Sequence, residues 1–375
     1  MAREREQDAC PGALQVHQAA DGALVRVRLP GGTLRADQLN ALAQAAAEYG
    51  SATLELTSRG SVQLRGIADT DAVAAAVADA GLLPSPTHER VRNIVSSPLS
   101  GRVGGVLDVR PWVFELDATV CADPVLAGLP GRFWFSLDDG RGDLSGLRAD
   151  VGAHALDDGS VALLISGTDS GVRLETGEVV DTVVKVARQF AHMRETHWRI
   201  SELDDPSAVL DGLQPSADPG RFWSAPTKGP VGWFEQRDGR IALGSGVPLG
   251  VLPSRTAEYL AAIDAPLVIT PWRSVLVCDL PEEIADVSLR VLAPQGLVFD
   301  ENSPWLDVSS CVGSPGCERS VADVRTDVAV AVTAGDVTGG HRHYVGCERA
   351  CGSPSVGEVL VATGDGYRRR DTHPG

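Results

Sequence analysis

Four of the seven cysteines fall in the last fifth of the 375-residue chain, as Cys311-Val-Gly-Ser-Pro-Gly-Cys317 and Cys347-Glu-Arg-Ala-Cys351. Four thiolates are the ligand set of a [4Fe–4S] cluster. The Gly-Ser-Pro-Gly insert predicts a loop whose backbone N–H groups face the cluster sulfides and raise its potential. A tetrahedral zinc ion takes the same four ligands and would make the segment a zinc-stapled structural or binding module. Zinc knuckles usually keep two to four residues between ligands, however, and five separate Cys311 from Cys317. Unligated buried thiols are a third reading, although these rarely arrive as two loop pairs. Cys10, Cys121 and Cys278 stand alone and read as packing residues.

An odd number of cysteines argues against a disulfide framework. The start, Met1-Ala-Arg-Glu-Arg-Glu-Gln, is charged and lacks the apolar stretch of a secretory signal. No apolar run reaches the length of a membrane span. A cytoplasmic protein is the expectation. Fifty acidic residues against 33 basic give a formal net charge of −17, a field that repels nucleic-acid backbones and anionic membranes. Any cluster of arginines on so acidic a chain would therefore be set against an anionic ligand.

The elements that must position these residues read as a duplication. Leu24 to Leu29 alternates like a strand, Pro30-Gly31-Gly32 turns, Ala36 to Tyr49 has helical spacing, and Ala52-Thr-Leu-Glu-Leu-Thr forms a second strand. Residues 239–280 repeat the plan, with Ile241-Ala-Leu, the turn at Gly244-Ser-Gly246, a helix near Ser254 to Ile263, and Val268-Ile-Thr-Pro-Trp-Arg-Ser-Val. Each copy is followed by an α/β segment. The first contains an apolar strand at Ser160 to Ser166 and a helix from about Gly177 to Arg194. The predicted organisation is a first half-domain over 1–85, an α/β domain over 86–225, a second half-domain over 226–284, and a cysteine-bearing α/β domain over 285–375. Leu203 to Ala217, with its Asp, Pro and Ser, reads as a linker. The turn at Gly244-Ser-Gly246 lacks the spacing of a dinucleotide fingerprint.

The cysteine pattern resembles that of the nitrite and sulfite reductase family, where it binds a [4Fe–4S] cluster coupled to sirohaem. Leu56-Thr-Ser-Arg59-Gly-Ser-Val-Gln63-Leu-Arg65-Gly is similar to the family's Thr-x-Arg-x-x-x-Gln segment, and Arg92-Asn93-Ile-Val-Ser-Ser-Pro98 to its Arg-Asn-Val segment. The resemblance covers nearly the whole chain. It implies an α+β fold of two ferredoxin-like half-domains and two α/β domains that bind the iron–sulfur cluster and the tetrapyrrole, arranged with pseudo-two-fold symmetry. One departure matters. Where the reductases carry two lysines in a Leu-Pro-Arg-Lys-Phe-Lys run, this chain reads Leu129-Pro-Gly-Arg132-Phe-Trp134. An apolar ring in place of an ammonium weakens the binding and protonation of sulfite or nitrite.

Asp108-Val-Arg-Pro-Trp, Leu129-Pro-Gly-Arg-Phe and Asp138-Asp-Gly-Arg-Gly-Asp143 resemble a non-reductase branch of the family, the precorrin-3B synthases. That likeness implies a monooxygenase that uses O₂ to hydroxylate precorrin-3A at C20 with γ-lactone formation, in aerobic cobalamin biosynthesis. It also implies a [4Fe–4S] cluster on Cys311, Cys317, Cys347 and Cys351, a mononuclear non-haem iron, and electrons from NADH through a separate reductase or ferredoxin. Precorrin-3A is a polycarboxylate, so Arg59, Arg65, Arg92 and Arg132 in the matched segments are the expected carboxylate-binding residues. Catalytic residues and ligands for the second iron are not named by any pattern; His341 and His343 are the nearest histidines to the cysteine loops. The reading kept beside this one is a sirohaem-dependent sulfite or nitrite reductase.

Overall fold

The computed structural model describes residues 8, 10–354 and 356–370. The charged start Met1–Gln7, noted above for its lack of an apolar leader, lies outside the described residues. Among those residues no helix is long and apolar enough to cross a membrane.

The duplication extends over both kinds of unit. One five-stranded sheet orders His17–Ala19, Gly22–Val27, Val62–Ile67, Thr53–Leu56 and Val251–Pro253. Another orders Gly232–Glu235, Ile241–Gly246, Ser274–Leu280, Leu267–Ile269 and Thr33–Leu34. Each sheet thus ends on a strand from the other copy: Leu252 pairs with Leu54, and Leu267 with Leu34. The exchanged strands follow short turns at Pro30–Gly32 and Pro248–Gly250, so each chain segment leaves its own sheet and pairs with the other sheet's edge. Edge strands that would otherwise present unpaired N–H and C=O groups are covered by this exchange.

Both helices fall where their spacing predicts. Ala36–Tyr49 buries Leu39, Leu42, Ala43 and Ala46 on one face, with the Gln38 carboxamide accepting from the Arg35 N–H at 3.1 Å to close its first turn. Ser254–Ala261 buries Ala257, Leu260 and Ala261 and packs against Ala36–Tyr49. One continuous apolar core runs through both half-domain sheets, from Val25, Leu42 and Leu64 to Leu243, Leu260 and Val277.

The two α/β units share a topology as well. In the first, Ile94–Ser96, Phe135–Asp138 and Val151–Ala155 are parallel and Val161–Ile165 returns antiparallel. In the second, Val308–Ser310, Arg342–Val345 and Glu358–Thr363 are parallel and Gly366–Arg369 returns antiparallel. The helices Arg110–Ala122 and Val324–Ala334 occupy the same place in each order. The long helix of the first unit spans Val179–Met193 and buries Val180, Val183, Val184, Ala187 and Phe190.

The stretch read as a linker is not free. Within Leu203–Ala217, Pro206–Leu210 forms a short 3₁₀ helix with Val209 fully buried in the first α/β core, and the N–H groups of Ser216 and Ala217 both donate to the Gly171 carbonyl. Its polar composition marked exposure of its outer face; Val209, with Leu203, Leu210 and Leu213 packed against the same core, outweighed that signal.

Candidate active site

Parallel neighbours send their C-terminal loops out at the same end of a sheet. Cys311 follows Val308–Ser310 directly, and Cys347 follows Arg342–Val345 after Gly346, so the two cysteine loops lie side by side. The Cys311 Sγ accepts from the Gly346 N–H at 3.3 Å. A Cβ on Gly346 would sit 1.7 Å from the Ser320 Oγ, so only glycine lets this backbone approach. Burial, together with the neighbouring sulfurs, pushes the Cys311 and Cys351 thiols up.

The thiols are not gathered tightly enough for a preformed zinc site. Ligands around tetrahedral zinc lie about 3.8 Å apart, from Zn–S bonds of about 2.3 Å. No three of these described sulfurs lie within 4.8 Å of one another. The four thiols are electrostatic neighbours and an N–H is already aimed at one of them, so Cys311, Cys317, Cys347 and Cys351 could hold a [4Fe–4S] cluster.

Beside the loops is a cavity of about 390 Å³. Its wall runs from Arg59 and Trp134 in the first half to Trp272, Arg273 and Trp305 in the second. It reaches His341 and Gly352, the residue after Cys351. Trp134 is 5% exposed and packs in one apolar cluster with Leu144, Leu147 and Trp272, while the Arg59 guanidinium lies over its ring at 5.8 Å. Arg59 also donates to the Gly131 carbonyl at 3.2 Å; burial and the nearby Arg199 push it down to about 10. Two further cavity cations are already paired, Lys228 with Asp307 at 2.9 Å and Arg199 with Asp150 at 2.7 Å.

The two half-domains contribute the same turn to this wall. Thr57 and Thr270 each receive the N–H three residues on, from Gly60 at 3.1 Å and Arg273 at 3.0 Å, and each donates to the serine four residues on. Their hydroxyls accept in parallel, Thr57 Oγ1 from Arg59 and Ser61, Thr270 Oγ1 from Trp272 and Ser274. Arg59 therefore corresponds to Trp272, and Gly60 (φ 63°) to Arg273 (φ 58°). The arginine common to the two sequence copies is not at one structural position.

Of the four arginines expected to bind carboxylates, only Arg59 lines this cavity. Arg65 forms a bidentate pair with Asp21 and donates to the Gly316 carbonyl in the first cysteine loop. Arg92 lines a second cavity, of about 1110 Å³, and is held by both oxygens of Asp117 at 2.7 Å. Arg132 is exposed and stacks over Trp198 at 4.9 Å. The structure therefore does not bring the four into one cavity, and two of them hold internal carboxylates. Arg273 takes a place there that sequence reasoning missed; the signal available was its position in the repeated turn.

His341 and His343 share one hydroxyl: the Ser309 Oγ lies 2.8 Å from His341 Nε2 and 2.8 Å from His343 Nδ1, and His343 Nε2 lies 2.9 Å from the Cys351 carbonyl oxygen. Burial lowers both, His343 to about 4. They act as a buried brace beneath the second cysteine loop. In the first α/β unit, the loops at the equivalent strand ends carry Ser97 and the carboxylates Asp138, Asp139 and Asp143, gathered within 4.8 Å. Asp138 is spent on the N–H groups of Gly140, Gly142, Leu144 and Ser145, and Asp139 on Arg141. Where the second unit has thiols, the first has a satisfied polar knot.

Comparison with known proteins agrees with this architecture. The model of the nitrite/sulfite reductase ferredoxin-like half domain matches residues 17–79. The solved structure of the Mycobacterium tuberculosis NirA protein superposes with a TM-score of 0.75 at 19% identity, covering 94% of this chain and 77% of that one. A precorrin-3B synthase from Sinorhizobium sp is 27% identical over 96% of this chain and 81% of its own length. Residues 17–79 thus match a nitrite/sulfite reductase half-domain, and the chain as a whole shares the fold of the NirA protein. A second relative, the ferredoxin–nitrite reductase of Synechococcus elongatus, is 22% identical over 90% of this chain and 75% of its own length.

Proposed function

We propose that this chain is a precorrin-3B synthase, an oxidoreductase that hydroxylates precorrin-3A at C20 with O₂ while a ring-A acetate closes to the γ-lactone. The observation that carries the reading is Trp134. Its ring occupies the position of a reductase lysine, buried against Trp272 and capped by Arg59, so this part of the cavity wall is apolar where sulfite or nitrite would need a proton-donating cation. The resemblance to the Sinorhizobium enzyme points the same way.

The roles of the chain's own residues follow from their chemistry. Trp134, Trp272 and Trp305 offer flat apolar faces to a macrocycle, and Arg59 a guanidinium to one of its carboxylates. Cys311, Cys317, Cys347 and Cys351 hold the [4Fe–4S] cluster, which supplies single electrons when bound. On this reading the electrons would come from NADH through a separate reductase or ferredoxin.

Protein purified without oxygen, assayed for iron, acid-labile sulfide, zinc and extractable pigment, tests the proposal together with turnover of precorrin-3A. Iron and sulfide in cluster proportion, no sirohaem, and turnover that stops when O₂ is withheld are the expected results. Bound sirohaem with viologen-driven reduction of sulfite or nitrite would instead make the chain a reductase. Stoichiometric zinc without sulfide would leave a structural module.

A further inference from the structure

We propose that Arg273 is a dedicated carboxylate-binding residue of the cavity, reading the same macrocycle from the second half-domain that Arg59 reads from the first. The inference rests on the cavity being a tetrapyrrole site, as argued above.

Three observations carry it. The first is backbone conformation. Arg273 occupies the left-handed region at a turn position where the other copy has Gly60, with the same hydrogen bonds around it. A side chain there costs about 1–2 kcal/mol that glycine avoids. The turn closes equally well with glycine, so folding does not require the arginine, and strain kept at a cavity wall points to function.

The second is the track that receives the side chain. A Cβ on Gly250 would lie 2.6 Å from the Arg273 Cδ, and one on Gly352 would lie 3.4 Å from Nη2. Gly250, the last residue of the turn Pro248–Gly250, leaves room for the side chain, and Gly352 after Cys351 lies beside Nη2, so the guanidinium runs along the cavity wall toward the second cysteine loop.

The third is the missing partner. Among the described residues the Arg273 side chain makes no hydrogen bond and no ion pair, whereas Arg199 and Lys228 in the same cavity each hold a carboxylate. Glu55, the acid whose charge favours it, is already bonded to Arg325 and lies 3.9 Å from Arg65. A half-buried guanidinium that lines the cavity and is left unpaired is poised for an arriving anion, and a carboxylate fits its fork in a bidentate way.

The test uses the full purified chain and uroporphyrin III, a polycarboxylate macrocycle, with binding read from quenching of its fluorescence. Arg273→Gly should weaken binding about tenfold or more while the thermal midpoint stays level or rises, because strain is removed together with the ligand contact. Arg273→Lys should recover part of the affinity, since it keeps the charge and loses the fork. Wild-type binding with an Arg273→Gly affinity within about twofold of it would overturn the inference and leave the cavity reading standing. A fall in the thermal midpoint of Arg273→Gly with unchanged affinity would overturn it too, assigning the side chain to the fold. If the wild-type chain does not bind uroporphyrin III at all, the tetrapyrrole reading fails and takes this inference with it.

Discussion

The Arg65 Nη2 donates to the Gly316 carbonyl at 3.0 Å, joining the first half-domain sheet to the loop between Cys311 and Cys317. The same guanidinium is held in register by Asp21 at 2.9 and 3.0 Å, so the loop is anchored by a rigid fork rather than a flexible tether. Arg65 is 7% exposed. Arg65→Met should destabilise the protein by about 3 kcal/mol, because it strips Asp21 of its partner and leaves a buried carbonyl unpaired. Urea unfolding of the variant measures the loss, and metal analysis should show lower iron occupancy than in the wild type.

Cys317→Ser tests the cysteine set itself. With iron bound as a cluster, the variant should lose most of its iron and sulfide and the broad visible absorption that accompanies them, while far-ultraviolet dichroism stays near wild type. The core of the second α/β unit, built on Val308, Val324, Val328 and Tyr344, does not include Cys317. Unfolding on the same substitution, with no change in colour, would point to zinc.

Asp143 gives the protein a signature in its pH dependence. Burial, and the adjacent Asp138 carboxylate, push it up to about 7, against an ordinary value near 4. The folded state then holds a proton that the unfolded state has released between about pH 4 and pH 7. Stability from this group is complete below pH 4, drains away as pH rises through 7, and changes no further above that. Asp143→Asn should flatten that decline, so that its stability relative to wild type improves from pH 5 to pH 8. Denaturant midpoints at the two pH values measure it, and an unchanged difference would mean that Asp143 ionises as an ordinary surface acid.

Trp134→Lys asks whether a reductase-like ammonium is tolerated. The new cation would replace a ring that is 5% exposed and lie beneath Arg59. Lost packing and like-charge repulsion should cost about 3–5 kcal/mol, read as a lower urea midpoint. The smaller cost of Trp134→Phe, about 1–2 kcal/mol, separates the loss of volume from the added charge.

Much of this arrangement is legible in the sequence. Ala36–Tyr49 carries its apolar residues three and four apart, and the two cysteine pairs sit in loops rich in glycine, so element and chemistry coincide. The repeat is legible too, although its second turn falls at Pro248–Gly250 and the expected turn Gly244-Ser-Gly246 lies within the strand Ile241–Gly246. What stays hidden depends on contacts distant in sequence. Arg65 and Arg92 lie in family segments, but the carboxylates that claim them, Asp21 and Asp117, carry no mark of it. Arg273 is marked in sequence only by register: Thr57 to Ser61 and Thr270 to Ser274 have equal spacing, which sets it opposite Gly60, and the arginine present in both copies obscures that match. Val209 shows the same limit: with Leu203, Leu210 and Leu213 it docks a stretch whose Asp, Pro and Ser read as a linker.

The exchange of Thr33–Leu34 and Val251–Pro253 between the half-domain sheets has a consequence for how the gene can be divided. Each half supplies the closing strand of the other, so neither segment cut out by itself has a complete sheet, and both would expose a sticky edge. Produced together as separate polypeptides, they carry complementary ends and should reassociate, in the manner of a split reporter.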